Sequence, residues 1–234
     1  MHPELTDCGV RFVESPHGYF YGDKQLCGIT SLIHYATGLG EYPEADEYTK
    51  SVLIPRAGEY GHAVHSAIEL YESQGIRATT SPNTFDGGEW DVSRELEDYI
   101  GLRGEYIPVA NEYTVSNGRY ASNIDNVWMN PLSRGIVLAD TKTNNLNYYP
   151  GKTAALKEYL SWQLSIYAEL FEQQNPGLKV EKLVGNWLRR GQCRQWMIER
   201  KSSDEVNAIL SIPYERVDNE FRFIIPIDLL LNTF

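Results

Sequence analysis

Cysteine is scarce in this chain of 234 residues, with three in all, Cys8, Cys27 and Cys193. They are odd in number and widely spaced. They cannot build a four-cysteine metal or iron–sulfur site, and they suit a reducing cytosol, so a cytoplasmic location is expected. Long apolar runs are missing too, so no transmembrane span or membrane partner is expected. The opening, MHPELTDCGV, has neither a basic nor an apolar stretch, so no signal peptide is expected. Positive charge is the third shortage. A net charge of −11 argues against a nucleic-acid binder that works by bulk charge. It leaves room for an enzyme with a local basic groove and a divalent cation. Repeats, low-complexity tracts and obvious linkers are absent as well.

What is present is a globular composition, 42% hydrophobic and 23% charged. The length suffices for one large domain or two small ones. Sixteen tyrosines are available to stack on bases or simply to pack.

The most informative stretch runs from Tyr120 to Lys142. Two apolar strand-like runs, Asn123 to Trp128 and Ile136 to Asp140, flank a turn signal from Asn130 to Gly135. With the turn centred between Leu132 and Ser133, an antiparallel hairpin sets Asp125 directly opposite Asp140. Facing Cβ atoms in such a pair lie roughly 4.5–5.5 Å apart. Two carboxylates that close repel unless a cation sits between them. Strand alternation puts Lys142 on the face of Asp140. A slip of one residue would separate all three, and the pattern in isolation also fits a surface hairpin with solvated charges.

The rest of the chain supplies the flanks. Residues 10–22 read as two short strands around a Ser15-Pro16-His17-Gly18 turn. Ile29 to Ile33 starts a helix that ends near Gly38, and residues 40–50 read as acidic and irregular. Residues 56–73 read as a helix with Pro55 in its first turn. Its apolar stripe is Tyr60, Val64, Ala67, Ile68 and Tyr71. His65 and Glu69 share another face, so His65 alone fits a packed histidine bonded to Glu69. Gly61, one turn earlier, is expected to leave open space beside it. Residues 74–88 read as loop and 90–103 as a second helix. Residues 105–117 read as a strand holding Glu112, assigned to structure though within reach of the acids from next door.

After the hairpin, residues 144–151 read as a loop whose amides and tyrosines suit a polymer backbone or an ordinary connection. Residues 152–174 form the clearest helix. Its stripe of Leu156, Tyr159, Leu160, Leu164, Tyr167, Leu170 and Phe171 contains Gln163, a polar amide that needs partners. Residues 179–200 read as two strands around Arg190-Gly191-Gln192, and the basic residues of this segment suit either a phosphate backbone or a charge-protected sheet edge. A short helix capped by Ser203 or Asp204 and an apolar tail close the chain.

In order, the chain presents Gly61-x-x-x-His65-x-x-x-Glu69, Tyr120 to Asp125, Asp140-Thr141-Lys142, and Gln163-x-x-x-Tyr167. This succession resembles the PD-(D/E)XK nuclease superfamily, in its RecB-type and phage-type exonuclease branch. The four blocks span roughly residues 58–167. The stretch HGYFYGDKQLCGITSLI is also similar to the N-terminal part of phage members.

The resemblance implies an α/β (α+β) fold with a central mixed sheet flanked by helices, a restriction-endonuclease-like core. It implies one nuclease domain over 1–234, with an N-terminal elaboration at 1–55, a catalytic core at 56–175 and C-terminal strands and tail at 176–234. His65, Asp125, Asp140 and the Thr141 carbonyl would hold Mg²⁺ or Mn²⁺, which suits oxygen donors and one imidazole. Lys142 would position or activate the attacking water and steady charge on the phosphate, with Gln163 and Tyr167 supporting the site. The activity implied is metal-dependent DNA hydrolysis by an exonuclease of recombination or repair, with DNA and possibly a recombination protein as partners. An endonuclease of the same superfamily and a non-cutting DNA- or protein-binding module are the alternatives. Members often carry Gly-Thr where this chain has Ser122-Asn123, a departure that keeps the acid.

Overall fold

Runs of valine, isoleucine and aromatic residues favour extended backbone, and they place the longest strands here. The computed structural model describes residues 2–14, 18–40, 45–146, 152–218 and 220–224. β6 (Ile107–Ser116), β7 (Tyr120–Met129) and β8 (Ile136–Lys142) form consecutive antiparallel pairs. Asn130 makes the β7–β8 turn, its Oδ1 accepting from Leu132 N at 3.0 Å and its own N–H donating to Gly135 O at 3.0 Å. The register runs from Met129↔Ile136 to Asn126↔Ala139. The turn is therefore centred between Leu132 and Ser133, as the sequence suggests, but the pairing stops at Asn126↔Ala139, one position short of Asp125 and Asp140.

β9 (Val180–Arg189) pairs in parallel with β8, and α4 (Lys152–Gln174) crosses between them. β10 (Gln192–Ile198) returns antiparallel to β9. Arg190 and Gly191 join these two strands, both at positive φ (46° and 75°), the twist a two-residue hairpin needs. At the other end, β1 (Val10–Val13), β2 (Gly18–Tyr21) and β3 (Lys24–Gly28) form a meander. β3 then joins β7 in parallel, Cys27↔Tyr120 and Gly28↔Ala121. The result among the described residues is a mixed eight-stranded sheet in the order β1-β2-β3-β7-β8-β9-β10, with β6 also on β7.

Helices cover both faces. α1 (Ile29–Thr37), α4 and α5 (Ser203–Leu210) close one core over Ile124, Val127, Leu138 and Leu183. α2 (Ile54–Gln74) and α3 (Ser93–Arg103) close the other over Trp128, Val137, Ala139 and Val184. α4 is buried all round from Leu160 to Ala168, a wider burial than the stripe read from its sequence, because strands and α5 both pack against it. No helix of the described residues is long and apolar enough to cross a membrane.

Several local readings change. Residues 74–88 are not all loop, since β4 (Thr80–Asn83) pairs with β5 (Gly88–Asp91), and this hairpin delays α3 to Ser93. Asn83 Oδ1 caps the hairpin turn from Phe85 N and Asp86 N, both at 3.1 Å. A strand not anticipated from sequence, β3, feeds α1. Residues 47–53 are helical rather than irregular, with a π-helical turn at Thr49–Leu53 leading into α2. The cap of α5 is Ser202, one residue earlier than read, in a reciprocal capping box with Glu205. The Ser15–His17 turn, residues 147–151 of the loop after β8, and the tail from 225 lie outside the described residues.

Candidate metal centre

Strict alternation would keep each strand face to one core. Here both central strands break it at the same place. On β7, Ile124 and Val127 are three apart, yet both enter the core under α4. On β6, Ala110 and Tyr113 do the same. Between the pairs Asn111↔Asn126 and Tyr113↔Ile124 lie Glu112 and Asp125, and Glu112 has φ of 47°. A non-glycine residue in left-handed backbone inside a strand costs about 1–3 kcal/mol. The kink turns Glu112 and Asp125 toward α2 and toward each other.

The edge of β7 beside them is open. Ala121 pairs with β6 on one edge and β3 on the other, and Asn126 pairs with β6 on one edge and β8 on the other. β3 and β8 therefore share an edge of β7 and leave a notch at residues 122–125. Asp125 fills it, its Oδ2 accepting from Thr141 N at 2.7 Å.

α2 brings His65 over this notch. Its Nε2 lies 3.0 Å from Thr141 O, and its Nδ1 lies 3.7 Å from Asp125 Oδ2 and 3.9 Å from Glu112 Oε1. With Nε2 donating to the carbonyl, Nδ1 is the ring nitrogen that faces the two acids. Ligand atoms of His65, Glu112 and Asp125 all lie within 4.8 Å of one another. Glu69, Asn111 and Asn126 also line this hollow.

Asp140 sits beside this cluster on the α4 side. It is 0% exposed. Its Oδ2 is 2.6 Å from Lys142 Nζ, while its Oδ1 has no hydrogen-bond partner. Gln163 Oε1 is likewise unpaired and buried. Tyr167 OH lies 2.8 Å from Ser122 Oγ and accepts from Gln163 Nε2 at 2.8 Å. Ser122 thus fastens Tyr167 to the strand that holds Asp125.

Charge is unbalanced in this pocket. Burial, with Asp125 adding to it, pushes the Asp140 carboxyl up to about 6, against the pull of Lys142. Burial alone would lower His65, but Asp125 and Glu112 outweigh it and raise the imidazole to about 9. Lys142 is also desolvated, yet Asp140 and Asp125 hold its amine above the ordinary value. Glu69, Glu112 and Asp125 around one hollow, with His65 among them, could hold a cation. Oxygen donors with a single imidazole nitrogen match Mg²⁺ or Mn²⁺.

The structure brings His65, Glu112 and Asp125 to one hollow that Thr141 also lines, while Asp140 and Lys142 pair with each other outside that group, with Gln163 and Tyr167 near them. Glu112, read as structural though within reach of the acids, does approach Asp125 and His65, and the backbone kink that carries it there leaves no mark in periodicity. Gly61 does not leave open space beside His65, because a Cβ there would meet Thr143 Oγ1 at 3.1 Å, so its role is to let the chain after β8 pass close to α2. The alternative bond from His65 to Glu69 gives way to Thr141. Thr141 O is shared with His65, which leaves it one lone pair for any other partner.

Glycine is expected to relieve the left-handed backbone at position 112. Glu112→Gly should raise metal-free stability by about 1 kcal/mol while weakening Mn²⁺ binding. Urea unfolding and titration calorimetry read the two effects. A destabilised variant that binds as wild type would remove both claims.

No family model and no curated protein matches this sequence. Among solved structures, SSO0001 is similar over 50% of this chain, at 14% identity and a TM-score of 0.31. The match spans 54% of that protein. A likeness this slight carries no argument about fold or function.

Proposed function

We propose that this chain is a metal-dependent nuclease with a restriction-endonuclease-like core, hydrolysing phosphodiester bonds in DNA as an exonuclease that uses Mg²⁺ or Mn²⁺. The observation that carries the reading is the meeting of His65, Glu112 and Asp125 within 4.8 Å, beside the buried Asp140–Lys142 pair. These residues come from a helix and three strands, and four of the five belong to the sequence blocks of the resembled superfamily.

A divalent cation in this hollow would polarise a phosphoryl oxygen and acidify a bound water. His65 Nδ1, Glu112 and Asp125 are the donors available to hold it, with Asp140 outside that close group. Lys142 stays protonated at neutral pH, so it serves as a fixed positive charge for the phosphate and a hydrogen-bond donor to the water, not as a base. Gln163 and Tyr167 are positioning residues. They hold Ser122 and the adjoining strand in place through a chain of hydrogen bonds.

The test is incubation of end-labelled linear and closed circular DNA with Mg²⁺. Loss of linear DNA alone supports the exonuclease. Nicking of circles makes the protein an endonuclease. If neither substrate is cut, with Mg²⁺ or Mn²⁺, catalysis is overturned and a non-cutting module remains.

Metal binding should depend on pH with a definite sign. A histidine raised to about 9 is protonated at pH 7, so Mn²⁺ must displace that proton. The ion pairs of protonated His65 stabilise the metal-free fold fully below the ordinary histidine pKa, and this contribution is lost as pH rises through about 9. Asp140 takes up its own proton below about 6. Affinity is expected to climb from pH 6 to 9 and then level off. Calorimetry at pH 7 in buffers of different ionisation enthalpy should find close to one proton released, and a result of none would remove His65 from the ligand set.

A further inference from the structure

Beside the centre, cations sit where the sheet continues past Lys142. The parallel register sets Lys142 against Trp187, and the antiparallel register sets Trp187 against Arg194. Facing residues share a face, so Lys142, Trp187 and Arg194 form a row across three strands. At about 4.8 Å per strand, Arg194 lies roughly 10 Å from Lys142 along the sheet. Arg194 stacks over Trp187, its guanidinium carbon 5.8 Å from the ring, and Lys157 of α4 sits 5.8 Å over Trp196, two residues on from Arg194. Lys142 lies 5.9 Å over Tyr159. Each charge is thus propped on an aromatic face, which holds it in place without neutralising it.

Among the described residues Arg194 and Lys157 make no ion pair, nor do Lys182, Arg189 and Arg190 of the neighbouring strands, whereas other cations close by are neutralised. Arg200 pairs with Glu172 and Glu169, and Lys201 with Glu158. Arg194 and Lys157 are exposed, and among the described residues neither has a carboxylate within 4.0 Å. An acidic chain that leaves these two cations unpaired beside an anion-handling site focuses positive potential there.

Resting on the nuclease reading, we infer that Arg194 and Lys157 form a phosphate track that carries the polynucleotide backbone away from the metal centre across the edge of β9 and β10. The spacing suits phosphates one to three nucleotides from the scissile bond. The contacts are to backbone phosphate, so the track gives affinity without base preference.

The test uses the full chain with Arg194→Glu, Lys157→Glu and the neutral Arg194→Gln. Binding of fluorescein-labelled single-stranded and duplex oligonucleotides is read by anisotropy in EDTA between 50 and 200 mM KCl, roughly the range in which phosphate contacts dominate. Each reversal is expected to weaken binding about tenfold, and each substitution to lower the salt slope by about one. Hydrolysis of bis(p-nitrophenyl) phosphate with Mn²⁺, a substrate too small to reach Arg194, should stay at the wild-type rate. Unchanged oligonucleotide affinity and slope in all three variants would overturn the track, whatever the cleavage results. Loss of the small-substrate reaction would overturn it as well, because these residues would then serve the centre itself. A wild-type chain that hydrolyses no phosphodiester refutes the nuclease reading separately, since the anisotropy arm does not depend on cleavage.

Discussion

Asp140→Asn and Lys142→Ala are each expected to lower Mn²⁺-dependent phosphodiester hydrolysis by about 10³-fold or more, on the scale of losing a charge aimed at the transition state. The two variants should differ in every other respect. Asp140→Asn removes a buried anion that Asp125 repels and whose carboxyl is already pushed up to about 6. A carboxyl raised above its unfolded value destabilises the fold once ionised, so this cost is absent below the ordinary carboxylate pKa and complete above about 6. Asparagine mimics the protonated form at every pH. Metal-free Asp140→Asn should therefore be more stable than wild type at pH 8, by on the order of 1–3 kcal/mol, and indistinguishable from it near pH 3. Lys142→Ala removes the counter-charge instead, and should be destabilised at pH 8. Urea unfolding without metal, beside a hydrolysis assay with Mn²⁺, separates the two. If Asp140→Asn is active, or is less stable than wild type at pH 8, the account of this pocket is wrong.

Trp128→Ala should be the most damaging substitution outside the centre. Trp128 is fully buried. Its ring stacks on Tyr106 at 5.5 Å and 14° and meets Tyr99 at 6.1 Å. Removing so large a buried ring costs about 3–5 kcal/mol in lost burial and residual cavity. In a chain of this size the melting temperature should fall by about 10 °C. Activity per folded molecule should survive, since Trp128 belongs to the core under α2 and α3 and does not line the hollow of His65, Glu112 and Asp125. A fall of under about 3 °C in a thermal melt would mean that the core repacks around the gap.

Much of this was legible in one dimension because it is local. The turn from Asn130 to Gly135 has a sequence signature, and its centre sets the register from Met129↔Ile136 to Asn126↔Ala139, one position short of Asp125 and Asp140. The 3.6-residue period of 56–73 and 152–174 reads directly as helix, and Gly38 announces the end of α1. The approach of Glu112 to the acids was left open in the sequence for an equally physical reason. Its place beside Asp125 and His65 comes from a reversal of face parity shared by two strands, and a strand pattern has no mark for the residue at which its partner kinks. Gly61 was misread because the atom that approaches it, Thr143 Oγ1, is 82 positions away.

The amino-acid order by itself determined the helices, the central hairpin and its register, and the residue types of the pocket, since each depends on neighbours a few positions apart. Only the tertiary structure decided that β3 and β8 share one edge of β7, that Asp125 fills the gap between them, and that Lys142, Trp187 and Arg194 stand in a row. Those placements follow from how distant strands pair once both cores are buried, and no short stretch of chain contains that choice.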